Sequence, residues 1–240
     1  MVSAGGEQFI LGGVASGTEI VSGGVECVGS GGVDSGSTIS NGGQQIVSGG
    51  AANSDTVASG GAQNDYGVTS NTTILRGGAE HVFSAGVAYY SQVYGAEFVS
   101  SGGAAYGDTV HSGGVLTVSS GGFVSGGLTI SGSGTANISG TVGSGQDVVF
   151  SGAGDLALSN LSNFHALIGG YSTGDELDLG GFASGSGETL SFTEAASLLS
   201  GTLGVHDGGL TASLTLLGKY VTSDFALSTD GHGGSFVKFV

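Results

Sequence analysis

Few side chains in this chain are of a type and spacing that could do chemistry. Residues 142–150, VGSGQDVVF, match eight of the nine places of the calcium-binding pattern G-G-x-G-x-D-x-U-x and lack only its first glycine. The segment that follows, SGAGDLALS, carries its acid one place out of step. A calcium ion takes roughly six to eight oxygens, which two successive turns must share. Asp147 and Asp155 are therefore the candidate calcium ligands, and one near-match supplies half a site. GDELDL places Asp175, Glu176 and Asp178 close together, but acids at a turn ahead of a strand are commonly just solvated, and no catalytic role is assigned to them. His81, His111, His165, His206 and His232 are scattered and never fall at a metal-ligand spacing. Carbohydrate-cleaving β-helices need acid pairs or an arginine on one wall, and Arg76 stands alone at a corner. Glycine spacings that could suggest a phosphate loop lack a strand-to-helix junction with a following lysine. No catalytic residue and no cofactor other than possible calcium is expected. One recognition candidate remains. HVFSAGVAYYSQVYGAEF crowds Phe83, Tyr89, Tyr90, Tyr94 and Phe98 into a repeat otherwise poor in aromatics. Tyr89, Tyr90 and Tyr94 are the candidate partner-binding residues, because aromatic faces stack on sugars and on protein partners. The plainer alternative is that they fill a bulge.

Something regular must carry these residues. The chain has 240 residues with 53 glycines and no proline, and 38% of it is hydrophobic, which excludes both a disordered tail and collagen. Glycine at this level serves a chain that turns sharply and often. Three basic residues stand against nineteen acids, for a formal charge of −16. Such a surface repels phosphate backbones and anionic lipid, so nucleic acid is not an expected partner. Cys27 is the single cysteine; it excludes an intrachain disulfide and reads as a buried small hydrophobe. The first residues, MVSAGGEQFILGG, show no basic and apolar signal-peptide regions, and no apolar run reaches the length that a membrane-crossing helix needs. No membrane insertion by this segment is expected.

Glycine pairs recur near Gly5, Gly23, Gly42, Gly60, Gly77, Gly95 and Gly113, a period of about 18 residues. Between them lie short Val, Ile and Thr segments such as QQIVS, AEFVS, DTVAS and TTILR, which are strand signals with turn punctuation. Arms of this length form no independent core. They bury their apolar faces only by stacking, which is the logic of a solenoid. The spacing predicts that Ile20, Ile39, Val57, Ile74, Val93, Val110 and Ile130 superpose along one wall, and that Ile10, Val28, Val47, Val82, Val99 and Val118 superpose along another. Thr38, Thr56, Thr73, Thr109 and Thr129 should point outward as a stripe, interrupted by Glu19 and Gln92. In the fourth unit Asp65 takes an aliphatic place, and Tyr66 is expected to replace it in the packing. Seven or eight coils would make a rod of roughly 35 Å at about 4.8 Å per coil.

Residues 1–140 form the repeat region in this reading, and residues 141–240 form a β-rich cap that closes the open end of the rod. In the cap, TEAASLLS (193–200) is a short helix candidate. A hairpin turning at Asp207, Gly208 and Gly209 and a second one in DFALSTDGHGGSFVKFV complete it.

Units such as GGQQIVSGGAANSDTVASGG and GGVLTVSSGGFVSGGLTISGSG resemble the AIDA-type repeats of autotransporter-like bacterial adhesins, the antigen 43 group among them. The resemblance covers roughly residues 5 to 140. It implies an all-β fold, a right-handed parallel β-helix, with an extracellular or bacterial cell-surface location. It also implies adhesion, self-association or biofilm formation, and in some members glycosylated outward Ser and Thr. The tail is similar to a module closing many large secreted alphaproteobacterial repeat proteins. No membrane-barrel translocator is expected within the last ninety or so residues, and the apolar end SFVKFV fits a type I export signal. The expected function is a non-enzymatic secreted or surface adhesin whose partners are cell-surface glycans or proteins, or copies of itself. The alternatives are a polysaccharide-processing β-helix enzyme, which requires a groove with two or more carboxylates within reach, and a stalk or spacer of a larger secreted protein.

Overall fold

The computed structural model describes residues 1–183, 185, 187–229 and 234–240. It is a parallel β-solenoid of about nine turns, with coils of about 19 residues, followed by an antiparallel cap. Each full coil lays down three short strands, one in each of three sheets. The first sheet receives segments such as Val25–Val28, Gln44–Val47 and Ala79–Val82, the second Gly32–Ser35 and Ala51–Asn53, and the third Thr38–Ile39 and Thr56–Val57. Val, Ile and Thr suit these pleated segments, and inward and outward residues alternate along them. Among the described residues no helix is long and apolar enough to cross a membrane.

Parallel register stacks equivalent residues. In the third sheet Ile20, Ile39, Val57, Ile74, Val93, Val110 and Ile130 are successive partners, each fully buried. The outward neighbours Glu19, Thr38, Thr56, Thr73, Gln92, Thr109 and Thr129 form the stripe beside them. In the first sheet Ile10, Val28, Val47, Asp65, Val82, Val99 and Val118 are partners in that order. Asp65 therefore keeps its place in the ladder and is fully buried, whereas Tyr66 is 45% exposed. Tyr66 does not take over the packing, because Asp65 finds a donor in the Gly67 N–H at 2.8 Å and needs no replacement.

The coil runs past residue 140. Thr135–Ile138 pairs with Asp155–Leu158, which pairs with Glu176–Leu179, and Asp147–Ser151 pairs with Leu167–Gly169, all in parallel. The change of sequence texture after residue 140 marks wider apolar coils and not the end of the solenoid. The cap then joins both open sheets edge to edge. Leu210–Leu217 pairs in parallel with Leu167–Gly169, and Gly234–Phe239 pairs antiparallel with Glu176–Ala183. The hairpin through Gly208 and Gly209 forms between Ser200–Asp207 and Leu210–Leu217. The second hairpin pairs Phe225–Thr229 with Gly234–Phe239, and its turn lies outside the described residues. Residues 193–200 are not a helix: they end one strand, turn, and begin the next of an antiparallel pair, with Leu198 at φ 58°. About two turns' length of helix formers is too short to be stable against that strand pairing.

Candidate binding surface

The register that stacks core residues also stacks outward ones, so surface side chains form ladders between coils. On the second sheet Tyr89 and Tyr106 are register partners, with ring centroids 5.1 Å apart and planes inclined by 30°. Tyr90 turns the corner after Tyr89 at φ 58°, is 57% exposed, and lies with its ring 6.3 Å from that of Tyr89. Tyr94 lies at the next corner, beyond the third sheet. It stacks face to face on His111 of the following coil, 4.1 Å away and within 3° of parallel. His111 Nε2 is also 2.9 Å from Gln92 Oε1. On the first sheet His81 stacks on its register partner Phe98 at 4.9 Å, and Tyr66 stacks on Phe83 at 4.5 Å. Burial holds the His81 and His111 imidazoles below their ordinary pKa range, so both rings stack as neutral groups.

Phe83, Tyr89, Tyr90, Tyr94 and Phe98 thus do not gather into one cluster. Sequence neighbours in a wound chain face different sides, and each of Phe83, Tyr89, Tyr94 and Phe98 finds its ring partner one coil above or below. The result is a belt of stacked rings around the middle coils. Tyr89 and Tyr90 flank one corner, Tyr94 another, and Phe98 lies on a third side. Rings held in this way lose little further freedom when a partner covers them.

Asp147 and Asp155 are likewise kept apart. Asp147 opens a strand of the third sheet and Asp155 one of the first. Among the described residues no three Asp, Glu, His or Cys side chains are gathered as metal ligands. Asp155 instead lines a shallow groove of about 190 Å³ on the first sheet, with Thr135, Asn137, Glu176, Asp178 and Phe236. Asp155 and Glu176 are register partners, and Glu176 is ion-paired with Lys238. Burial, and then the neighbouring Glu176, push the Asp155 carboxyl above its ordinary range. Asp175 points elsewhere and is structural, accepting the N–H groups of Gly154 and Ser172. His206 is 3.0 Å from the Thr211 hydroxyl, and His232 lies outside the described residues. Cys27 is not a core residue: it is half-buried on the outward side of the first sheet, between Phe9 and Ile46 in register. Its thiol is pushed up by burial and by Glu7 and Glu26, which keeps it protonated and unreactive.

What the reading of the aliphatic ladders overlooked is inside. Two places before each ladder Val of the first sheet, the register runs Glu26, Gln45, Gln63, Glu80 and Glu97 before it changes to Leu116, Ala136, Leu156 and Leu177. All of these are buried. The period-two rule already placed them inward: in VECV, QQIV, AQND, AEHV and AEFV the second residue shares a face with the fourth.

No family model matches the chain, and no curated protein matches it. Among solved structures, the chain is similar to the crystal structure of a TibC-catalysed, hyper-glycosylated fragment of TibA. The two are 30% identical over 72% of this chain and 75% of that one, with a TM-score of 0.45.

Proposed function

We propose that this chain is a non-enzymatic adhesive rod that acts at or outside a bacterial cell surface and holds glycans, surface proteins or copies of itself through many weak contacts. The observation that carries this reading is the belt of stacked outward rings on a rigid coil whose other outward positions are mostly small and polar. Repeated weak contacts along such a rod gain strength through avidity and need no deep pocket. The test is cell aggregation and surface binding by the purified chain, compared with a Tyr89→Ser, Tyr90→Ser, Tyr94→Ser variant. The wild type should bind and the variant should lose most of that binding while keeping its melting temperature within a few degrees. Failure of the wild-type chain to bind cells, glycans or itself would favour a stalk or spacer role.

The enzyme reading has one specific support, the groove where Asp155 and Glu176 stand side by side. Two neighbouring carboxyls, one raised and one paired with a lysine, are the minimum for acid-assisted cleavage of a glycosidic bond. Incubation of the chain with polysaccharides, followed by reducing-end assay, distinguishes the two. Cleavage that Asp155→Asn abolishes would replace the adhesive reading.

A further inference from the structure

The interior of the middle coils holds acids that no lysine or arginine neutralises. Glu26, Asp34, Asp55, Asp65, Glu80, Glu97 and Asp108 are all at most 2% exposed. In the lower coils side-chain amides reach one oxygen of two of them: Gln45 donates to Glu26 at 2.8 Å and to Asp34 at 2.7 Å, leaving Glu26 Oε1 and Asp34 Oδ1 without a donor, and Gln63 donates to Gln45 at 2.6 Å. Higher up, the amides give way to carboxyls. Glu80 accepts from the Thr69 and Ser91 hydroxyls, and Asp108 accepts the Ser91 N–H at 2.8 Å. Neither oxygen of Glu97 has a donor, and the second oxygen of Asp108 has none either. Glu97 and Asp108 face one another within hydrogen-bonding reach, with Glu80 and Asp65 close by. The rest of this compartment is apolar: Ala88 and Ala105 on the second sheet, Val93 and Val110 on the third, and Leu116 in the coil above. His81 and His111 of the same coils point outward into ring stacks. None of Arg76, Lys219 and Lys238 lies among these buried residues.

Two carboxyl groups that face each other in a sealed apolar space, with no donor between them, require a proton on one of them. We propose that Glu97 and Asp108 share a proton inside the coil, and that this pair, with Glu80 and Asp65 beside it, is a proton-operated lock on the middle of the rod, closed in mild acid and loosened in alkali. The ladder above replaces Glu97 with Leu116, whereas in the amide-bearing coils below burial and Asp34 hold Asp55 at about 7 as well, so loosening extends over the acid-bearing coils and spares the leucine ladder. Burial, and for Glu80 and Glu97 also the neighbouring acids, raise these groups: Asp65 and Asp108 to about 7, Glu80 to about 8, and Glu97 well above its ordinary range. In the unfolded chain the same groups ionise near pH 4. The stabilisation is therefore complete below about pH 4, declines as the unfolded chain releases protons that the fold retains, and is lost once pH passes the folded values.

The test is the denaturation midpoint of the full chain across about pH 5 to 9 in a chelator-containing buffer, with carboxyl infrared spectra of the same samples. Each proton held by the fold and released on unfolding lowers the folding constant about tenfold per pH unit. The expected fall is at least a hundredfold over this range. A protonated-carboxyl band should persist in the folded chain near neutral pH. Glu97→Gln, which supplies an amide N–H to Asp108, and Glu97→Leu, which extends the Leu116 ladder by one coil, should both flatten the fall and weaken the band. Stability that is flat or rises over the range, or no protonated-carboxyl band above about pH 5, overturns the proposal. So does a calcium-dependent midpoint that replaces the pH dependence, since a cation would then hold the acids. The infrared and pH measurements on the unmodified chain decide the matter even if neither variant folds.

Discussion

Alanine at the two members of one glycine pair should have very different effects, although the residues are adjacent and the substitution is the same. Gly113 lies at φ 78°, and a Cβ there would meet nothing within 4 Å. Gly114 has an ordinary φ, but its Cβ would lie 2.0 Å from the Val93 carbonyl oxygen and 3.0 Å from that of His111. Gly113→Ala therefore costs only left-handed backbone strain, about 1–2 kcal/mol, partly offset by a less flexible unfolded chain. Gly114→Ala must push backbone away by about 1.5 Å, because ordinary carbon contacts begin near 3.5 Å. The Val93 carbonyl already accepts the His111 N–H at 2.8 Å, so the shift strains a bond that holds one coil to the next. A backbone contact this close takes overpacking toward the upper end of its usual range of about 1–3 kcal/mol, and with one weakened hydrogen bond of about 1 kcal/mol the cost is about 3–4 kcal/mol. For a chain of this size a kcal/mol is worth about 2–4 °C of melting temperature. Gly113→Ala should lower the melting temperature by about 2–5 °C and Gly114→Ala by about 6 °C or more, followed by circular dichroism at fixed pH. Equal losses, or a larger one at Gly113, would refute the argument that the second glycine of the pair is there for close approach between coils.

Other substitutions probe the core and the surface separately. Ile74→Ala, at a fully buried rung between Val57 and Val93, should cost about 2–5 kcal/mol, measured by guanidinium denaturation. Asp65→Asn keeps an acceptor for the Gly67 N–H but removes a carboxyl held at about 7. Relative to wild type it should gain stability above about pH 7 and change little near pH 4, and a gain confined to acid would contradict the sign derived above. Addition of calcium should leave the melting temperature unchanged, because Asp147 and Asp155 stand on different sheets; a rise of several degrees in calorimetry would show that a site exists.

The ladders were legible because a solenoid repeats its physics. Ile20, Ile39 and Val57 each precede a glycine corner by a few residues, and a residue that cannot hide its side chain alone must stack on its equivalent. The belt of rings was legible in composition but not in place. Tyr90 and Tyr94 are close in sequence, yet a third-sheet strand separates their two corners, and only the winding of the coil reveals it. The end of the solenoid was misplaced for a related reason. Beyond residue 140 larger residues such as Phe150, Leu156 and Leu158 fill the coil, so the small-residue signature fades while the winding continues. The buried acids carry no aliphatic signal of their own, and only the alternation within each strand locates them. Glu80 and Glu97 share a face with Val82 and Val99, and the alternation that places one inward places the other inward too.

That polar interior also bears on the surface. A coil filled with leucine, as in Leu156, Leu158, Leu177 and Leu179, is held by burial that is indifferent to pH and register-tolerant. Coils that carry Gln45, Gln63, Thr69 and Glu80 are held by directed hydrogen bonds from one coil to another, at 2.6 Å for Gln63 to Gln45 and 2.7 Å for Thr69 to Glu80. Such bonds fix which coil sits on which, since a slip by one residue would break the bonds from Gln45 to Glu26, from Gln63 to Gln45 and from Thr69 to Glu80. The surface rings stack through the same register: Tyr89 on Tyr106 and His81 on Phe98 are pairs only while the coils beneath them stay aligned. The same coil-to-coil register thus orders both the buried amide ladder and the outward ring pairs.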